Sequence, residues 1–260
     1  STQDIETLPE FCRATWSTRF LPTIYHRLGA APKPWELADG EAGMVDVIQE
    51  VLDYVYPGTT YTVKHGDKIF TMRTYFGREA IRIIREHFGT EKYKNHPKRI
   101  SSYARWAVRG DGPVIFETPT PIDCVVSKKS PDYIKPDGIF CSNFVIALFA
   151  PYAKWCKGSC HDYGELKGAL AMSAAGLERA FLMYKSGVPT DVGQFSRDKV
   201  GTLVDDYLVN TAKLTSRRWE HLMETCGVSN EELNPPLDTS VMQQDRRNLY
   251  VPSSPAQGSN

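Results

Sequence analysis

The chain has 260 residues, with 31 Lys/Arg balanced by 31 Asp/Glu, 41% hydrophobic residues and 24% charged residues. This is an ordinary globular composition, which excludes a disordered or collagen-like chain. No apolar run approaches the ~20 residues of a membrane helix. A net charge of zero also removes global basicity as an argument for a nucleic-acid or membrane partner.

Residues 8–28 read as a helix with an interruption. Leu8, Phe11, Cys12 and Trp16 share a face, and Pro22 restarts or kinks the helix. After the breakers of 29–34, a helix is expected over 42–56, stopped by Pro57-Gly58. Thr59 to Val63 is strand-like and leads to a His65-Gly66-Asp67 turn. Helical spacing returns over 68–88, where Phe76, Ala80, Ile83, Ile84 and Phe88 line one face, and again over 98–109.

Residues 113–138 carry short β-type runs, Val114-Ile115-Phe116 and Cys124-Val125-Val126, among several prolines. They are expected to form a small irregular or two-stranded excursion. Helices follow at 141–155, 165–186, 196–213 with Ser196 as N-cap, and 215–226 with Thr215 as N-cap and Gly227 after its end. In the 165–186 helix, Ala169, Ser173, Gly176 and Ala180 permit close approach, which makes it the expected central helix. Within it, Glu178-Arg179 reads as a buried ion pair or as the solvent edge. The expected architecture is a mainly α, multi-helix globular domain over 1–234 with a small β excursion, then a polar tail or linker over 235–260.

The zero charge hides an asymmetry. Residues 64–109 hold twelve Lys/Arg and four Asp/Glu, a net +8; residues 1–63 sum to −5 and residues 110–260 to −3. Arg78, Arg82 and Arg85 recur at i, i+4 and i+7, on one helix face. Arg73, Lys92, Lys94, Lys98, Arg99 and Arg105 complete the stretch, with Tyr93, Tyr103 and Trp106 interleaved. Guanidinium forks match phosphate oxygens and aromatic rings can stack on bases, so these residues form a candidate nucleic-acid or polyanion surface. The alternative is a solvated face answered within the fold, by Glu79, Glu86 and Glu91 or by the acids of 1–63. A further reading is an interaction or assembly domain whose basic segment docks an acidic protein, with a metal-dependent enzyme ranked below it.

No common catalytic signature appears: no phosphate loop, no G-x-G-x-x-G, no G-x-S-x-G and no H-E-x-x-H. The expectation leans against an enzyme and names no catalytic residue and no cofactor. Cys156, Cys160 and His161 are weak zinc candidates, since paired thiol spacings are missing. His65 and Asp67 have the H-x-D form of an iron site but also suit a tight turn. His96-x-x-Arg99 lacks the partners a strand-joining recombinase needs. The six Cys residues (12, 124, 141, 156, 160 and 226) mostly lie singly in apolar stretches, as reduced thiols do. Ser1 to Glu10 is polar and acidic with no signal-peptide core behind it, so an intracellular protein, nuclear or cytoplasmic, is expected; the start without Met suggests a processed chain.

A set of turn and core positions resembles a family. These include Trp16 with Leu21-Pro22-Thr23, Val55-Tyr56-Pro57, Gly66-Asp67, Arg78…Arg82-Ile83, Pro136-x-Gly138-x-Phe140-x-Ser142, Gly168-Ala169-Leu170-Ala171, Glu178-Arg179-Ala180 and Leu214…Trp219. Over about residues 8–226 the chain resembles a domain of unknown function abundant in mushroom-forming fungi. The resemblance implies a mainly helical, intracellular domain. It implies no established activity and transfers no functional residue.

Overall fold

The computed structural model describes residues 8–37, 40–63 and 72–233. The expected His65-Gly66-Asp67 turn and the 235–260 tail lie outside these residues. The fold is mainly α. Helices α1 (Glu10–Arg13), α2 (Leu21–Gly29), α3 (Gly40–Val55), α4 (Met72–Phe88) and α5 (Pro97–Ala107) precede a two-stranded sheet. Strands β1 (Phe116–Thr118) and β2 (Asp137–Ile139) pair antiparallel, Phe116 opposite Ile139. Then come α6 (Asn143–Trp155), α7 (Lys167–Leu182), α8 (Arg197–Thr211), α9 (Ser216–Thr225) and α10 (Asn230–Leu233). No helix among the described residues is long and apolar enough to cross a membrane.

Helix α7 is the axis. Every residue from Gly168 to Leu177 is buried, and the helix packs against α2, α4, α5, α6 and α8. A helix contacted on all sides must present small residues, because interaxial distance follows side-chain size. A Cβ on Gly168 would lie 2.4 Å from the Ala31 carbonyl oxygen, and one on Gly176 would lie 3.1 Å from that of Phe76. Backbone therefore meets backbone at both crossings. The buried Ser173 hydroxyl donates to the Ala169 carbonyl at 2.8 Å, so it adds no unsatisfied group. Glu178 and Arg179 form no ion pair: Glu178 accepts a hydrogen bond from the Tyr207 hydroxyl at 2.5 Å, and buried Arg179 donates to the Gly193 carbonyl. Adjacent helical residues point about 100° apart, so each found a different partner.

Several local expectations change. The break in the first helical stretch is a π-helical turn, Trp16–Phe20, whose end rings stack at 4.1 Å. Pro22 lies in the first turn of α2, where its missing N–H leaves no gap. Residues 59–63 pair with no strand among the described residues; the Gln49 amide accepts from the Val63 N–H and donates to the Tyr61 carbonyl. In the excursion, the second strand is 137–139 and not Cys124-Val125-Val126, where Val125 is 87% exposed. The reason is Arg109, which takes the Ile122 and Cys124 carbonyls and pairs bidentately with buried Asp111 at 3.0 and 3.1 Å. The Tyr133 hydroxyl also donates to Asp111. Helix caps follow the residues: Ser142 caps α6 and Thr215 caps α9, and Gly227 takes a left-handed φ of 69°. Ser196 stands at the N-cap of α8 without a side-chain bond.

Two outcomes follow from this packing. Gly168→Val should force α7 away from α2 and lower stability by roughly 1–3 kcal/mol, a fall in Tm of about 5–10 °C by calorimetry. His87 sits among Phe88, Tyr93, Tyr103 and Phe144, with ring centroids 4.8–5.1 Å away and its Nε2 unpartnered. Burial, aided by Lys92, pushes its pKa down to about 4. The folded state thus binds fewer protons than the unfolded state. This contribution is complete above ~6.5 and is lost as pH falls from there towards ~4; it is worth about 1–2 kcal/mol for a half-buried ring. Urea unfolding at about pH 7 and about pH 4.5 should show the loss in the wild type and a smaller one in His87→Phe.

Candidate functional site

The basic stretch divides into cations used by the fold and cations that face solvent. Arg73 is half-buried; it donates to the Trp35 carbonyl at 2.9 Å and lies over the Trp35 ring at 5.0 Å. It therefore anchors the 34–35 segment and leaves the candidate surface. On α4, Arg82 pairs with Glu79 and Glu86, both at 2.6 Å, while Arg78 touches Glu79 at 3.3 Å and is 65% exposed. Lys94 pairs with Glu91, Lys92 lies against Tyr93, and Arg105 donates to Ser101. Arg85, Lys98 and Arg99 are exposed and make no ion pair among the described residues. Lys98 and Arg99 stand in the first turn of α5, not in a loop, because Pro97 starts that helix. The acids that answer these cations lie in the same stretch, one, three and four residues away. From the N-terminal region, Glu50 pairs instead with Arg27, and Glu36 with Lys33 and Arg197.

The structure adds a feature that joins part of this stretch to distant residues. A cleft of about 860 Å³ opens between α2, α4 and α6. Arg78, Arg82, Lys154 and Lys157 line it, against the single carboxylate of Glu79. Its apolar lining includes Leu21, Pro22, Ile83 and Pro151, with the rings of Tyr25, Tyr75 and Trp155. This is the size range of ligand sites, and the mixture of apolar wall and few polar groups is typical of them.

Three helices hold the cleft open through tyrosine hydroxyls. The Tyr152 hydroxyl donates to the Tyr25 carbonyl at 2.7 Å and ties α6 to α2. The Tyr75 hydroxyl donates to the Leu148 carbonyl at 3.0 Å and ties α4 to α6. Burial pushes the pKa of Tyr152 well above its ordinary value and that of Tyr75 up to about 12, so both hydroxyls keep the proton that they donate. Trp155 packs on Tyr75 at 4.6 Å and on Tyr25 at 5.7 Å, and it remains 37% exposed. Pro151 sits inside α6 and supplies no N–H, so the Ala147 carbonyl lacks its usual helical donor; both residues line the cleft. Lys157 is steadied by the Gly227 carbonyl and by Glu232, and Glu232 and Glu86 are not among the lining residues.

Of these residues the sequence had marked only Arg78 and Arg82 as functional. Lys154-Trp155-x-Lys157 shows the same interleaving of cations and a ring that marked 92–106, but it closes an apolar helix and reads there as a helix end. Tyr25 carries no such signal.

The metal candidates do not converge. Cys156 is fully buried and its thiol donates to the Tyr152 carbonyl. The Cys160 sulfur accepts from Arg19 Nε at 3.2 Å, and His161 lies between the Tyr54 and Tyr163 rings at 4.5 Å each. Among the described residues no three His, Cys, Asp or Glu side chains stand close enough to hold a metal. His65 and Asp67 lie outside the described residues. Compared with known proteins, the chain matches no family model, no curated protein and no solved structure.

All six thiols in the described residues are free, and only Cys124 and Cys160 are not buried. A thiol reagent on the native protein should therefore modify two cysteines quickly and four only on unfolding. Mass mapping of the modified sites checks this, and early modification of Cys156 would contradict its burial.

Proposed function

We propose that this domain is a nucleic-acid-binding module that holds its ligand's phosphates at the α2/α4/α6 cleft. The observation that carries the reading is the convergence of Arg78 and Arg82 with Lys154 and Lys157 on one cleft that holds a single lining carboxylate. These cations come from segments about seventy residues apart in the chain, so local helical pairing does not explain their meeting. The arginine forks match phosphate oxygens, and each lysine supplies a mobile point charge. Glu79 and Glu86 fix the Arg82 guanidinium in place and Glu79 also touches Arg78, so both arginines are held in position while Lys154 adds charge from α6. Arg85 extends the same face of α4 beyond the cleft. Arg73 plays no part in this surface.

Binding driven by phosphate contacts releases counterions and weakens steeply with salt. Fluorescence anisotropy with a labelled oligonucleotide should show affinity falling as salt rises. The Arg78→Glu/Lys154→Glu double variant should bind at least about tenfold more weakly at low salt, with a salt slope shallower by about one to two. Both side chains lie at the protein surface, so the melting temperature should stay near that of the wild type. A wild type that binds no oligonucleotide at low salt, or binds with no salt dependence, overturns the reading.

A further inference from the structure

A second cleft, of about 570 Å³, lies between the two-stranded sheet and α9 and shares no lining residue with the first. Its volume is in the range of small-molecule sites. The sheet side carries the carboxylates of Glu117 and Asp137. The helix side carries Arg218 and His221, which stand three residues apart on α9 and so share a face. The acids and these two residues are about 80–100 positions apart in the chain. Among the described residues none of the four side chains is in an ion pair, and the one side-chain hydrogen bond is Asp137 accepting from the Gly138 N–H at 2.8 Å. The fold thus holds opposite charges on one cleft without letting them close on each other. Backbone geometry places the acids. Glu117 stands opposite Gly138 in the antiparallel ladder, and Gly138 has a left-handed φ of 67°. A Cβ there would lie 2.6 Å from the Glu117 Cβ and 2.8 Å from its Oε2, so the carboxylate lies over the space that the glycine leaves. The buried Cys141 thiol also lines the cleft; burial raises its pKa, and the charges of Glu117 and Asp137 raise it further, so both carboxylates lie near it. Phe116 and Ile139, paired across the sheet, add apolar surface. So does the Tyr133 ring, which its hydrogen bond to Asp111 fixes in place. Lys135 adds a cation from the segment that enters β2. No three metal-ligating side chains among the described residues stand close enough to make this a metal site.

From this pairing of an acidic with a basic wall, we infer that the cleft binds a small zwitterion of the amino-acid class, its ammonium at Glu117 and Asp137 and its carboxylate at Arg218 and His221. A ligand with one charge would answer one wall only. A zwitterion brings each wall the charge it lacks, and hydrogen bonds between ionised groups are the stronger kind. The Arg218 fork matches the two oxygens of a carboxylate. The apolar lining receives the ligand's carbon chain. The α- and ω-amino acids share this chemistry and differ in the spacing of their charges. The site is separate from the nucleic-acid cleft, so the two conclusions stand or fall independently.

The test is calorimetric titration of the full chain with the common L-amino acids, 4-aminobutyrate and 6-aminohexanoate. For the tightest binder, the amine lacking its carboxylate and the acid lacking its amine serve as controls. Each control should bind at least about tenfold more weakly than the zwitterion. Glu117→Gln should weaken the zwitterion and the amine roughly tenfold to a hundredfold and leave the acid unchanged. Arg218→Gln should weaken the zwitterion and the acid by a similar factor and leave the amine unchanged. Neither side chain is bonded to another group among the described residues, so both variants should melt near the wild-type temperature. The Arg78→Glu/Lys154→Glu variant should bind the amino acid as the wild type does. Binding in this pattern by an α- or an ω-amino acid supports the inference, and which of the two binds reports the spacing of the walls. The inference falls if no amino acid binds at about 10 mM, if the singly charged controls bind as tightly as the zwitterion, or if neither variant changes binding. None of these results touches the nucleic-acid reading.

Discussion

Close approach of backbone to α7 is the constraint on which the rest of the structure depends. Five helices press on one, and the crossings at Gly168 and Gly176 leave no room for a methyl group without displacement. Because α7 lacks bulk, the larger side chains of its neighbours fill the interior. Phe76, Phe88, Phe149 and Tyr152 are all buried; Phe76 packs on Tyr152, and Phe88 meets Phe181 of α7 edge-on. Such an interior is stiff, because displacing one ring requires its neighbours to move.

That stiffness creates the cleft. Helices α2, α4 and α6 each touch α7 with one face and each other through two tyrosine hydroxyl bonds. The cleft lies between them, and Pro151 removes a donor from α6 where it runs. A binding site built between rigid helices holds its geometry without a ligand, which limits the ordering entropy that binding must overcome. The cations come from opposite walls, and Glu79, Glu86 and Glu232 orient several of them.

The charge asymmetry has a mixed outcome. Arg73 and Arg109 became structural because each found backbone carbonyls to satisfy: Arg73 those of 34–35, Arg109 those of the excursion. Spacing alone cannot reveal this, since a guanidinium that staples a loop and one that awaits a phosphate look identical in a sequence. Helical i, i+3 and i, i+4 spacing did reveal the partners of Arg82 and Lys94. The surviving surface keeps Arg78, Arg82 and Arg85 and gains Lys154, Lys157 and Trp155 from a helix whose apolar run hid them.

The chain determines by itself what periodicity, composition and caps can encode: the mainly helical class, the small-residue central helix, the cap at Thr215, the turn at Gly227 and the +8 stretch. Each depends on residues a few positions apart, whose geometry a helix fixes. Tertiary structure alone decided which strand pairs in the excursion, where the fold's own carbonyls claimed an arginine, and which rings and cations share a cleft. Those outcomes depend on residues from about fifteen to about eighty positions apart. Their meeting is set by how five helices pack around α7 and not by any local rule.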